Sequence, residues 1–146
     1  MEVTFNMTNG NVFIEGVKIS LGDDGEIIPK LRGFSKNLVN CNALGNEYLS
    51  AKKFSTLGSS ALLVIHTKNR NVVSICILFD EIVFFDRTIL ESKIIKRFER
   101  KYGMAVGGSS STVGEIGNFT WGKAYFSYDP RQGDLSLCFS YNNATP

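Results

Sequence analysis

The sequence is poor in the residues from which catalytic and metal centres are usually built. It holds one histidine, one tryptophan, three prolines and three cysteines among 146 residues. Any Ser-His-Asp or Cys-His set must pass through His66, which follows the apolar run Ala61–Ile65. Nothing around any serine or cysteine marks a nucleophile beside it. Cys41, Cys76 and Cys138 are odd in number, far apart and without paired metal-ligand spacing. They read as reduced thiols of a cytoplasmic protein, with neither a metal nor a cofactor expected. Cys76 and Cys138 share the polar parity of their strands, which leaves a contact between them open. The opening Met1–Thr8 lacks the basic start and apolar run of a signal peptide. No apolar stretch approaches the ~18 residues of a membrane span, so no membrane partner is expected. A net charge of +2 is too small to argue by itself for nucleic acid.

What is present suits one compact domain over residues 1–146. Hydrophobic residues make up 43% and charged residues 21%, ordinary values for a globular core and its surface. The clearest stretch runs from Asp86 to Tyr141. Thr88 and Glu91 fit a capping box at a helix start, and Asp86 places negative charge where the helix dipole favours it. Leu90, Ile94, Phe98 and Tyr102 recur every four residues with Ile95 beside them, giving one apolar stripe. Lys93, Lys96, Arg97, Arg100 and Lys101 load the rest with positive charge, and Gly103 suits the left-handed position after a helix end. The spacing predicts one amphipathic helix over about 88–102.

A hairpin follows. Ala124, Phe126 and Tyr128 share one parity. Leu135, Leu137, Phe139 and Tyr141 share one parity in the next run, opposite Ser136, Cys138 and Ser140. Asp129–Asp134 between them carries Pro130 and Gly133, both turn formers. Upstream, Asn9-Gly10 predicts a tight turn between Val3–Met7 and Val12–Ser20, with Gly16 marking a bulge. A second hairpin joins Ala61–His66 to Val72–Phe79 through Thr67–Asn71, with Val73, Ile75, Ile77 and Phe79 on the core face. Ile82–Phe85 reads as a short strand or a lead-in to the helix. Two segments resist assignment. Leu21–Phe34 fits either a short helix or a turn with a strand, and Ala43–Phe54 fits a broken helix weakened by Gly45. Met104–Thr120, with Gly107–Thr112, Gly114 and Gly117, reads as a long Gly/Ser loop of the kind that is mobile or functional. It lacks the Gly-Lys-Ser/Thr ending of a phosphate cradle. Leu21–Phe34 with the hairpin at 61–79 faintly echoes the helix at 88–102 with the hairpin at 123–141.

Two charge groups stand out. Asp80, Glu81 and Asp86 lie between the last strand of one hairpin and the helix, and Arg97, Arg100 and Lys101 close the helix. Each has a bland reading as a helix cap or a solvated face, and a functional one as a partner contact.

Ser20–Asp23 leading to Lys30-Leu31, a strand with Ser74–Ile77, a helix ending Arg100–Gly103, then Trp121-Gly122, Tyr125–Asp129 and Leu135–Tyr141 form a layout that looks familiar. It resembles small bacterial α+β proteins with helix-plus-hairpin units, including β-lactamase-inhibitor-like domains. It is also similar to immunity proteins of polymorphic toxin and contact-dependent inhibition systems. The resemblance implies an α+β fold, with a curved antiparallel sheet and the helix packed on one face. It also implies a non-enzymatic, cytoplasmic module that binds a cognate toxin protein. No functional residue carries over from the resemblance; Asp80, Glu81, Asp86, Arg97, Arg100 and Lys101 are the candidate partner contacts from their charge alone. The alternative is a single-stranded nucleic-acid binder that stacks bases on Tyr125, Tyr128 and Trp121 near the basic helix.

Overall fold

The computed structural model describes residues 3–14, 16–22, 34–36 (backbone only), 45–50, 53–69, 71–80, 93–107, 112–129, 131 and 133–141. These residues form eleven strands and one helix. The strands are β1 (Val3–Asn6), β2 (Asn11–Ile14), β3 (Val17–Ile19), β4 (Phe34–Lys36), β5 (Gly45–Ser50), β6 (Phe54–Thr56), β7 (Ser59–Lys68) and β8 (Asn71–Phe79). Helix α1 (Lys93–Tyr102) precedes β9 (Val113–Asn118), β10 (Gly122–Asp129) and β11 (Asp134–Tyr141). The first three strands make a small meander. The other eight form one antiparallel sheet in the order β4-β5-β7-β8-β11-β10-β9, with β6 pairing the start of β7. This sheet is curved and open, and the fold is α+β as the sequence predicts.

The two hairpins form where the alternation places them. β10 and β11 pair from Gly122↔Tyr141 to Asp129↔Asp134. The Asp129 carboxylate accepts the Arg131 N–H at 2.9 Å, and its carbonyl accepts the Gly133 N–H at 2.8 Å, which closes the turn. Pro130 lies outside the described residues. β7 and β8 pair up to Lys68↔Asn71, so their turn is two residues long and tighter than Thr67–Asn71 suggested. β8 and β11 then pair with each other and join the two hairpins.

One face of the large sheet, called inner here, carries the core. Leu63, Ile65, Ile75, Ile77, Phe126, Leu135 and Leu137 on it are fully buried. α1 lays Ile94, Ile95 and Phe98 on this face. Phe98 meets Phe126 edge-on at 5.5 Å between ring centroids and Phe5 of the small sheet at 6.2 Å. Phe5 in turn packs against Phe139 at 5.1 Å. The helix, the small sheet and the large sheet therefore share one apolar centre, where each buried side chain contributes roughly 1.5–3 kcal/mol. The Gly103 N–H bonds the Glu99 carbonyl at 2.9 Å, the closing bond of a left-handed helix cap. The capping box at Thr88 and Glu91, the lead-in at Ile82–Phe85 and the disputed residues 23–33 lie outside the described residues.

Four expectations are corrected. Gly16 is no bulge: Ile14 pairs Val17, so Gly16, at φ +81°, sits in a two-residue turn between β2 and β3. Residues 45–50 and 54–56 are strands rather than a broken helix. Tyr48 and Ser50 point inward on a two-residue period, and β7 supplies the ladder. Where that ladder ends, buried Ser50 accepts the Leu63 N–H at 2.9 Å through its hydroxyl. The Gly/Ser stretch is not a loop throughout, since it holds β9, paired to β10. On β8, Val72 and not Val73 faces the core. A register shift between His66 and Thr67 leaves Val73 without an opposite residue and reverses the parity beyond it.

Candidate functional site

The charges singled out in the sequence converge only in part. Leu57 and Gly58 form the two-residue turn between β6 and β7. Leu57 is buried and takes φ +50°, an uncommon conformation for a bulky residue. Arg97 of α1 holds this turn: its Nη1 donates to the Leu57 carbonyl at 3.2 Å and the Gly58 carbonyl at 3.4 Å. The Asp80 N–H bonds the Ser60 carbonyl at 2.9 Å at the same end of the sheet. The Asp80 carboxylate pairs with Lys53 Nζ at 2.6 Å, with both side chains about half exposed (51% and 53%). Asp80 is paired by Lys53, which sequence reasoning missed because nothing local marks it, while Arg97 is tied separately to the β6–β7 turn. Arg100 and Lys101 are exposed on the last helical turn, with the Lys101 ammonium 5.6 Å from the Tyr102 ring centroid. Glu81 and Asp86 lie outside the described residues. Arg97 has a structural task in addition to its charge, whereas Arg100 and Lys101 present theirs to solvent.

Beside this corner is a cavity of about 260 Å³ lined by Leu62, Leu78, Phe79, Asp80 and Asp134. It offers apolar walls with two carboxylates, which suits an aliphatic or cationic side chain of a partner. It opens on the outer face of the large sheet. Every described helix and every strand of the small sheet packs on the inner face instead. One row across the outer face reads Leu49, Val64, Cys76, Cys138, Tyr125, Glu115 from β5 to β9. The next row contains the His66–Glu47 pair, at 3.3 Å between Nε2 and Oε2. A second cavity of about 270 Å³ is lined by Val113, Glu115, Asn118, Lys123 and Tyr125, among others. It lies where β10 shifts register against β9 between Ala124 and Tyr125. Burial raises the Tyr125 phenol above its ordinary range.

Cys76 and Cys138 face each other directly across β8 and β11. The facing Cys138 thiol, with burial adding to the effect, holds Cys76 well above the usual thiol range. The facing Cys76 draws Cys138 below that range. Cys138 Sγ also lies 3.8 Å from Ser136 Oγ. The contact left open by their shared parity is therefore present.

The aromatic platform of the nucleic-acid alternative is not assembled. Tyr128 is buried on the inner face, while Tyr125 is on the outer face away from α1. Trp121 donates its indole N–H to the Met7 carbonyl at 3.0 Å and stacks on Phe119 at 5.0 Å, which ties the small sheet to the β9–β10 corner. Among the described residues, no group of three or more His, Cys, Asp or Glu could hold a metal ion. No described helix is long and apolar enough to cross a membrane.

No protein-family model matches the chain, and no curated protein does. A solved structure does: a chain from the complex of Rhs1-CT with cognate immunity protein RhsI1. It superposes with a TM-score of 0.63 at 10% identity, covering 98% of this chain and 89% of that chain. At this identity the likeness is one of fold. The resemblance to immunity proteins read from the sequence is met at that level by a toxin–immunity complex.

Proposed function

We propose that this chain is a single-domain immunity protein over residues 1–146 that neutralises a cognate toxin by direct binding, without catalysis. In this reading it works in the cytoplasm of a bacterium that carries a polymorphic or contact-dependent toxin system. The observation that carries the proposal is the fold match to a chain of a solved toxin–immunity complex over nearly the whole length. The corner formed by Asp80, Lys53 and Arg97, with Arg100 and Lys101 on the adjoining helix and Glu81 and Asp86 in the same part of the sequence, is the proposed docking region. Mixed charge of this kind raises encounter rates and rejects wrong partners more than it adds affinity.

Growth tests the proposal. The chain is expressed alone and together with candidate toxin domains from its source genome. The expected result is that the chain alone is harmless and that one lethal domain becomes harmless beside it and co-purifies with it at equal stoichiometry. A chain that is itself lethal would belong to the other half of such a pair. Failure to protect against every candidate would contradict the proposal.

A further inference from the structure

Cys76 and Cys138 lie at the middle of the outer face, on the ladder that joins the β7–β8 hairpin to the β10–β11 hairpin. Directly facing residues on antiparallel neighbours have Cα atoms about 4.5–5.5 Å apart. That separation falls within the ~4.4–6.8 Å over which a disulfide closes. Both thiols are free, and the two residues face each other directly on the ladder. Cys76 is the less buried of the two, so a small oxidant can approach from the outer face.

We propose that Cys76 and Cys138 form an oxidative modification site, in which a peroxide converts the facing thiols to a disulfide that locks β8 to β11. One sulfur attacks the peroxide, the O–O bond breaks, and a sulfenic acid and one water form. The facing thiol then attacks that sulfur, the S–O bond breaks, and a second water leaves with the thiol proton. Overall, two thiols and one hydrogen peroxide give one disulfide and two waters. The product cross-links two strands far apart in sequence. It therefore constrains the unfolded chain strongly and raises the melting temperature by roughly 5–10 °C.

The test uses the whole chain, fully reduced, then treated with a small excess of hydrogen peroxide and mapped by mass spectrometry after alkylation. The expected product is one cross-linked peptide pair holding Cys76 and Cys138, two hydrogens lighter than the reduced form, with Cys41 still alkylated. Its melting temperature is higher, and dithiothreitol returns it to the starting value. C76S and C138S each lose the rise, and C41S keeps it. Reversal in the wild-type chain does not depend on how any variant folds. Free, alkylatable Cys76 and Cys138 after peroxide treatment would overturn the proposal. So would a disulfide involving Cys41, or a Cys76–Cys138 link that leaves the melting temperature unchanged.

Discussion

The two faces of the large sheet are built by different rules. The inner face is filled with apolar side chains on a two-residue period along β7, β8, β10 and β11, broken on β8 at the Val72–Val73 register shift, and the helix and small sheet cover it. The outer face alternates with it but carries Ser74, Ser136, Ser140, the two thiols and half-buried Leu62, Leu78 and Tyr125. Both described cavities that bear charge open there. One face therefore holds the molecule together, and among the described residues the other carries the two facing thiols and both charged cavities. Substitutions should separate the two sharply.

The largest effect belongs to the inner face. Phe98→Ala removes a fully buried ring shared by both sheets and should cost about 3–5 kcal/mol, read as a lower urea midpoint at unchanged slope. Gly10→Ala comes next. Gly10 sits at φ +74°, and a Cβ there would lie 2.5 Å from Trp121 Cδ2. Backbone strain and displacement of the indole together should cost roughly 2 kcal/mol, with a change in tryptophan fluorescence as the indole moves off Gly10.

The helix and the hairpins were legible because burial on one side imposes its period on the residues. Ile94, Ile95 and Phe98 mark the helix, and Ala124 to Phe139 mark the hairpin. The strand at Gly45–Ser50 was not legible. It has only Tyr48 and Ser50 inward, and Ser50 is polar because it satisfies the Leu63 N–H rather than packing. Val73 was misplaced because a register shift is a property of two strands together and leaves no mark in one of them. The same holds for the candidate site. Asp80 and Arg97 could be picked out as charges, but the pairing of Asp80 with Lys53 and the hold of Arg97 on the Leu57–Gly58 turn depend on contacts between residues distant in sequence.

The corner sharpens the comparison from the other side. Arg97→Ala should cost about 1 kcal/mol, since its bonds to the Leu57 and Gly58 carbonyls are partly exposed but support a strained turn. Arg100→Gln with Lys101→Gln should lower the unfolding free energy by no more than about 1 kcal/mol, because both residues are exposed and lose only their favourable charge at the helix C-terminus. The same double variant should still weaken toxin binding, most visibly at low salt. Smallest of all is Lys53→Ala. It breaks an exposed ion pair that contributes about 0.3 kcal/mol, and thermal melting should barely register its loss.

The most direct measurement is the binding isotherm of the purified chain with the toxin domain it protects against, by titration calorimetry at moderate salt. A saturable complex of one chain to one toxin, weakened by the Arg100→Gln and Lys101→Gln variant that still unfolds cooperatively, is the predicted result. No heat of binding and no complex with any toxin domain, from a chain that is folded by its melting curve, would contradict the account.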